Sequence, residues 1–209
     1  FPETDWNPRE PASDTQLVRQ KSAYLATRIS LADPLHVILG ARYTNWNRQT
    51  LTDAMDKHNI TPYGGVIWDS YDNWSAYASY TSVFQPQDYQ DASGAFLSPV
   101  IGKNYEAGVK SDWFNSRLTT TVSVFRSELD NVGVATGQPV NNIAVYEGKS
   151  GVVSRGVEFE VHGALPDNRQ MTLGGRTHLA EDRAGDNYHQ HLPRTSFTLC
   201  TRYPPPMPA

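Results

Sequence analysis

Cysteine is almost missing from this chain: Cys200 is the only one among 209 residues, which excludes an internal disulfide framework and a zinc site built from several thiolates. Long apolar runs are missing too. Nowhere do about 18 apolar residues follow one another, so a membrane-crossing helix is excluded. A transmembrane β-barrel is not, because its strands alternate and average out as polar, in keeping with the mean hydropathy of -0.54. Positive charge is not in excess: the formal net charge of -4 gives no electrostatic case for nucleic acid. The opening "FPETDWNPREPASD" has neither the basic start nor the apolar stretch of a secretory signal. No segment carries a helical stripe, and "GVVSRG" and "IGKNYEAG" are too poor in glycine spacing for a phosphate loop. No nucleophile stands beside a matched base in the sequence.

What the chain does have is aromatics (Tyr 11, Phe 7, Trp 5) and a period of two. Successive side chains of an extended chain point to opposite faces, so alternation marks strands. About nine such stretches recur. They run over Lys21–Leu31, Leu35–Trp46, Ile60–Asp69, Trp74–Phe84, Asn104–Asp112, Arg117–Arg126, Arg155–Ala164, Met171–Leu179 and Ser196–Tyr203. Most approach the roughly 9 to 11 residues that a tilted strand needs to cross a bilayer.

The connections carry more information than the strands. "ADP", "DSYDN", "DWFNSR" and "LPDNRQ" are tight turns rich in Asp, Asn and Pro. Longer loops over Asn47–Asn59, Gln85–Lys103, Ser127–Ser154 and Ala180–Thr195 alternate with them. In an antiparallel meander this alternation trims one rim and elaborates the other, as in outer-membrane barrels. Trp68, Trp74, Trp113 and Phe114 gather beside the short turns, and Tyr43, Trp46, Tyr80, Phe84 and Phe125 toward the long loops, as two interfacial girdles would require.

Facing follows strand by strand. Leu35, Val37, Leu39 and Ala41 oppose His36, Gly40 and Arg42; Val157, Phe159 and Val161 oppose Glu158, Glu160 and His162. Either face is a possible inside. A soluble β-sandwich binding a ligand or carbohydrate would bury the apolar one, and a wide barrel would turn it to lipid. A third reading, a small outer-membrane barrel enzyme, requires an even strand count and a convergent site.

"YEAGVKSDWFNSRLTTTVSVFRSELDNV", followed by "SRGVEFEVHGALPDNRQMTLGG" and "LPRTSFTLCTRY", resembles the late barrel strands of TonB-dependent outer-membrane receptors. "LADPLHVILGARYTNW" and "ITPYGGVIWDSYDNWSAYASYTSVFQPQ" resemble the preceding hairpins. The flavour is that of ferric-siderophore receptors, for hydroxamates such as coprogen or for pyoverdine-type ligands, over about Thr15–Tyr203.

The resemblance implies an all-β antiparallel meander of about nine strands, part of a transmembrane barrel that needs about 22 in all. Residues 1–16 form a loop-like start, and the proline-rich 204–209 cannot continue a ladder. Nothing matches the family's plug domain or coupling box, which makes the chain a receptor fragment, not transport-competent alone. The implied location is a Gram-negative outer membrane, and the implied role is not enzymatic. The implied partners are a ferric siderophore, outer-membrane lipid and, through the plug, the TonB energy-transducing complex. Iron enters only as the chelate, with no cofactor bound directly.

Glu158, Glu160 and His162 are the most site-like cluster, suited by type to acid-base work or metal binding, yet lumen lining is the favoured reading for them and for Arg42, Glu106, Lys110 and Arg176. "HQH" at His189–His191 has chelating residues in a loop without supporting carboxylates, and Cys200 packs as a small apolar residue. No metal site is expected. The loop aromatics Trp46, Phe84, Tyr89, Phe96 and Tyr146 are the candidates for contact with a bulky ferric chelate, because recognition concentrates on loops held by a rigid scaffold.

Overall fold

The computed structural model describes residues 16–51, 53–71, 73–137, 139, 144–165, 169–182, 185, 187 and 193–202. All its regular elements are strands: β1 (Leu17–Ala32), β2 (Leu35–Gln49), β3 (Ala54–Tyr71), β4 (Trp74–Gln85), β5 (Val100–Trp113), β6 (Leu118–Asp130), β7 (Val132–Ala135), β8 (Tyr146–Lys149), β9 (Val152–Leu165), β10 (Arg169–Glu181) and β11 (Thr195–Arg202). Nine form one antiparallel sheet in the order β1-β2-β3-β4-β5-β6-β9-β10-β11, while β7 and β8 pair separately as a hairpin. Chain order and spatial order agree across the sheet, as expected of a meander. Among the described residues β1 and β11 each pair on one side only.

The expected nine strands are all present, but two of the expected long loops are differently built. Over Asn47–Asn59 the described chain is almost all strand: β2 and β3 remain paired up to Gln49 and Ala54. Polar residues such as Asn47, Arg48, Asp56 and Lys57 hide that extension, because a ladder running past the apolar band needs no apolar alternation. Ser127–Ser154 contains the β7–β8 hairpin, whose four-residue strands are too short to show a period. The trimmed rim holds the tight turns. In one of them Phe114, Asn115 and Ser116 all have positive φ, a left-handed run that asparagine tolerates better than the other two.

Cross-strand register defines the two faces. Ala78, Ala107, Val124 and Val157 are partners in one row and Ala76, Val109, Val122 and Phe159 in the next. The intervening row runs Tyr77, Gly108, Ser123, Glu158, Arg176. On β6, Val122 and Val124 are each 54% exposed while Ser123 is 5% and Phe125 9%. On β6 the shielded face is therefore the polar one and the apolar face is bare, while on β9 the polar-face Glu158, Glu160 and His162 are exposed as well. A soluble sheet has the opposite arrangement, since burying about 25 cal/mol per Å² of apolar area is its driving force. Buried apolar residues among those described are few, Met55, Phe125, Val145 and Val152, and no second sheet of comparable size covers the first. This is not a β-sandwich.

Aromatics mark both ends of the bare face. Trp74 and Trp113 meet edge to face at 5.5 Å by the trimmed rim, where Trp74 is the register partner of Ser111, with Trp68 exposed nearby. Tyr80 and Tyr105 lie 5.3 Å apart toward the other rim, on the face that Tyr43 shares. Trp46 and Phe125, expected in that second girdle, stand at its level but on the polar face, as the partners of Lys57 and Gly156 show.

Candidate functional site

The elaborated rim is built around the loop between β4 and β5. Asp91 anchors its tip: Oδ1 accepts from the Ser93 amide at 2.8 Å, the Ser93 hydroxyl at 2.6 Å and the Ala95 amide at 3.1 Å. The Ser93 hydroxyl, then the Ser93 and Ala95 amides, favour the ionised carboxylate and hold its pKa below the ordinary value. Gly94, at φ +81°, closes the turn. On one side the loop leans on the β2–β3 hairpin. Arg48 Nη1 lies 2.9 Å from Asp88 Oδ2 as an ion pair without a directed hydrogen bond, and its guanidinium lies 5.5 Å from the centroid of the Phe96 ring. On the other side it meets the β7–β8 hairpin, where Tyr89 and Tyr146 stack with centroids 4.2 Å apart and planes at 21°.

The five aromatic candidates thus fall into three places. Tyr89 and Tyr146 form one platform, and Phe96 sits with Arg48. Trp46 lines a hollow on the polar side with Arg42, Thr61 and Tyr63. Phe84 borders that hollow but pairs with Ile101 in the apolar-face register.

The seven charged candidates all fall in polar-face rows. Arg42 Nη2 donates to Ser22 at 2.9 Å. Glu106 accepts from the Tyr77 hydroxyl at 2.5 Å, and the Tyr77 ring lies so close over Gly108 that a Cβ there would come within 2.8 Å of it. Lys110, Thr121 and Glu160 are register partners. Arg176 stands opposite Glu158 and places its guanidinium 4.4 Å from the centroid of the Phe125 ring, a cation–π contact worth about 0.5 to 2 kcal/mol. His162 Nε2 reaches Glu160 at 2.9 Å while Nδ1 faces the Thr172 hydroxyl at 3.0 Å. Glu158, Glu160 and His162 therefore belong to a continuous polar wall. Among the described residues no group of three or more acidic, His or Cys side chains is arranged to hold a metal ion. His189–His191 lie outside the described residues.

One constellation escaped the sequence reading. At the trimmed rim the Ser30 hydroxyl lies 2.9 Å from His36 Nδ1, His36 Nε2 lies 3.3 Å from Asp69, and Asp69 accepts from Ser75 at 2.6 Å. The order Ser-His-Asp is that of a nucleophilic triad. Its neighbourhood argues for a different role, because Asp33, Asp69 and Asp112 line the adjoining hollow and would oppose a developing oxyanion. The line straps β1 through β4 together. Its two halves, Ser30–His36 and Asp69–Ser75, are far apart in sequence, so only the strand register joins them.

A single meandering sheet with a hydrogen-bonded polar face, an apolar face without a covering layer among the described residues, two aromatic bands and one elaborated rim defines the class: part of a transmembrane β-barrel. The family model described as "TonB dependent receptor-like, beta-barrel" matches residues 1–208. The chain belongs to that family of receptors.

It is 36% identical, over 88% of its length, to the ferric-pyoverdine BN7/BN8 receptor of Pseudomonas putida, and 30% identical, over 95%, to the ferripyoverdine receptor of Pseudomonas aeruginosa. It spans about a quarter of each, 24% and 25%. Among solved structures, the P. aeruginosa outer-membrane ferripyoverdine receptor bound to ferripyoverdine superposes with a TM-score of 0.80 at 28% identity, covering 89% of this chain and 26% of that one. The alcaligin outer-membrane receptor FauA of Bordetella pertussis gives 0.76 at 31%, covering 93% and 36%.

Proposed function

We propose that the chain forms part of the wall and outer rim of a Gram-negative outer-membrane receptor that takes up a ferric siderophore with energy from the TonB complex. The observation that carries this reading is the inversion of the sheet, with valines bare and serine shielded on one strand. The bare face suits lipid. The polar face, with Arg42, Glu106, Lys110, Glu158, Glu160, His162 and Arg176, suits a wet lumen and the polar surface of a plug. The siderophore assignment draws on the relatives, and a pyoverdine-type chelate is favoured over ferrioxamine or ferrichrome because the pyoverdine receptors match more of this chain, 88% and 95% against 74% and 77%, one of them at 36% identity.

In this reading the chelate is cargo, captured at the elaborated rim without bond chemistry. Tyr89, Tyr146 and Phe96 supply its aromatic surface, and Trp46 lies below them on the lumen side. Phe84 serves the outer girdle instead. Transport belongs to the whole receptor, because among the described residues β1 and β11 are edges, a sheet open at its edges encloses no path, and each unpaired backbone group costs several kcal/mol in hydrocarbon.

The test uses the receptor expressed from its complete reading frame, titrated with a ferric pyoverdine and assayed for chelate-dependent iron uptake in cells. Tight binding, weakened in Tyr89→Ala and Tyr146→Ala, is expected. Absence of binding by any ferric siderophore contradicts the reading, and chelate-dependent import by the isolated chain in liposomes contradicts its partial role.

A further inference from the structure

We propose that Gln87 is a positioning residue that presents the Tyr89–Tyr146 platform to the ferric chelate, a role that rests on the reading of that platform as ligand-contacting surface. Gln87 is 8% exposed at the start of the β4–β5 loop, outside every strand. Its Nε2 donates to the carbonyls of Ser98, at the far end of the same loop, and of Asn131, at the turn after β6, the latter at 2.7 Å. Its Oε1 accepts from the Gly133 amide in β7 at 3.1 Å. One amide side chain therefore ties together three pieces of backbone: its own loop, the end of β6 and the hairpin.

The hairpin needs such a tie. With four residues in each strand, β7–β8 is a two-stranded unit of a kind that is marginal in water by itself. Two further contacts join the hairpin to this loop, besides the Lys149–Asp182 ion pair that ties β8 to the end of β10. The Tyr146 amide donates to the Gln90 carbonyl at 2.9 Å, and the Tyr89 ring lies against Gly133 so closely that a Cβ there would come within 2.4 Å of it. Gln87 Oε1 would be 2.9 Å from the same Cβ. Gly133 is thus the gap that Tyr89 fills, and Gln87 holds it in place.

The chemistry selects glutamine. Methionine has similar length but leaves the Gly133 amide and two carbonyls without a partner in a shielded place. Glutamate accepts from Gly133 but meets the Ser98 and Asn131 carbonyls with an oxygen in place of a donor.

The experiment compares Gln87→Met, Tyr146→Ala and the double variant in the receptor expressed from its complete reading frame, with ferric pyoverdine as the probe and fluorescence quenching as the readout. Gln87→Met is expected to weaken binding about tenfold. In the Tyr146→Ala background the same change is expected to add almost nothing, because its effect runs through that ring. Hydrogen exchange at Gly133 and Tyr146 is expected to rise in Gln87→Met while the β5 and β6 amides stay protected, and Gly133→Ala is expected to reproduce the binding loss.

Native affinity of Gln87→Met beside a weakened Tyr146→Ala overturns the proposal alone. So do losses that multiply in the double variant, or hairpin exchange that does not change. Native affinity of Tyr146→Ala overturns the ligand reading, and the presenting role with it.

Discussion

On β6, Val122 and Val124 stand bare while Ser123 and Phe125 between and beside them are shielded, and β5 broadly shares that contrast, whereas on β9 the polar-face Glu158, Glu160 and His162 are themselves exposed. Among the described residues no second layer covers the apolar face: its stabilisation comes from whatever solvent covers it, and a hydrocarbon solvent suits it. The polar face is knit internally, by the Tyr77–Glu106 hydrogen bond, the Arg176–Phe125 contact and the Ser30–His36–Asp69–Ser75 line. Apolarity alone therefore does not locate the inside of this molecule. Partnership does.

The largest break in that contrast comes from placing a charge on each face. Val122→Arg is expected to cost about 2 to 4 kcal/mol in lipid, as for a lipid-facing cation near the midplane. Thr121→Arg, one residue away on the polar face, is expected to cost less than half as much. Unfolding by denaturant in phospholipid vesicles measures both, in the receptor expressed from its complete reading frame. Equal costs would erase the distinction.

A smaller effect tests the knitting of the polar face. Gly108→Ala puts a methyl where the Tyr77 ring lies, so the ring must leave and its bond to Glu106 breaks. The expected loss is about 1 to 3 kcal/mol, with Tyr77→Phe smaller because it removes only the hydroxyl. A Gly108→Ala variant as stable as the native protein would show that the ring is free to move.

The smallest effect lies off both faces, at the loop tip. The Asp91 carboxyl has its folded pKa lowered by the Ser93 and Ala95 donors, so its contribution is fully present above the unfolded aspartate value near 3.9 and is lost as pH falls through the folded value. Amide exchange at Ser93 and Ala95 is expected to stay slow from neutral pH down to about pH 4 and to rise below it. Asp91→Asn is expected to remove that pH dependence without changing the stability of the sheet. An unchanged acid profile in Asp91→Asn would dissociate the loop from its carboxylate.

Much of this was legible in the residues. Alternation located all nine strands of the sheet, because a period of two survives wherever one face is uniformly apolar, as in "VEFEV". It failed for the polar extensions of β2 and β3 and for β7 and β8, where backbone pairing alone makes the strand. The facing of Phe125 was within reach, since it shares the parity of Ser123 and opposes Val124, but its aromatic character pulled it toward the girdle. The platform and its tie were out of reach. Tyr89 and Tyr146 are separated in sequence by β5, β6 and β7, with β8 beginning at Tyr146, and Gln87 is one polar loop residue among many until the fold brings Ser98, Asn131 and Gly133 around it.

The central claim, that the polar face is the inside, is tested most directly by a nitroxide scan along β6 and β9 in vesicles, with Cys200 replaced by serine. Single cysteines at 121, 122, 123, 124, 157 and 158 would each be spin-labelled and exposed to oxygen, which partitions into lipid, or to a water-soluble nickel chelate. Oxygen is expected to dominate at 122, 124 and 157, and the chelate at 121, 123 and 158. The opposite alternation, or none, would contradict the account.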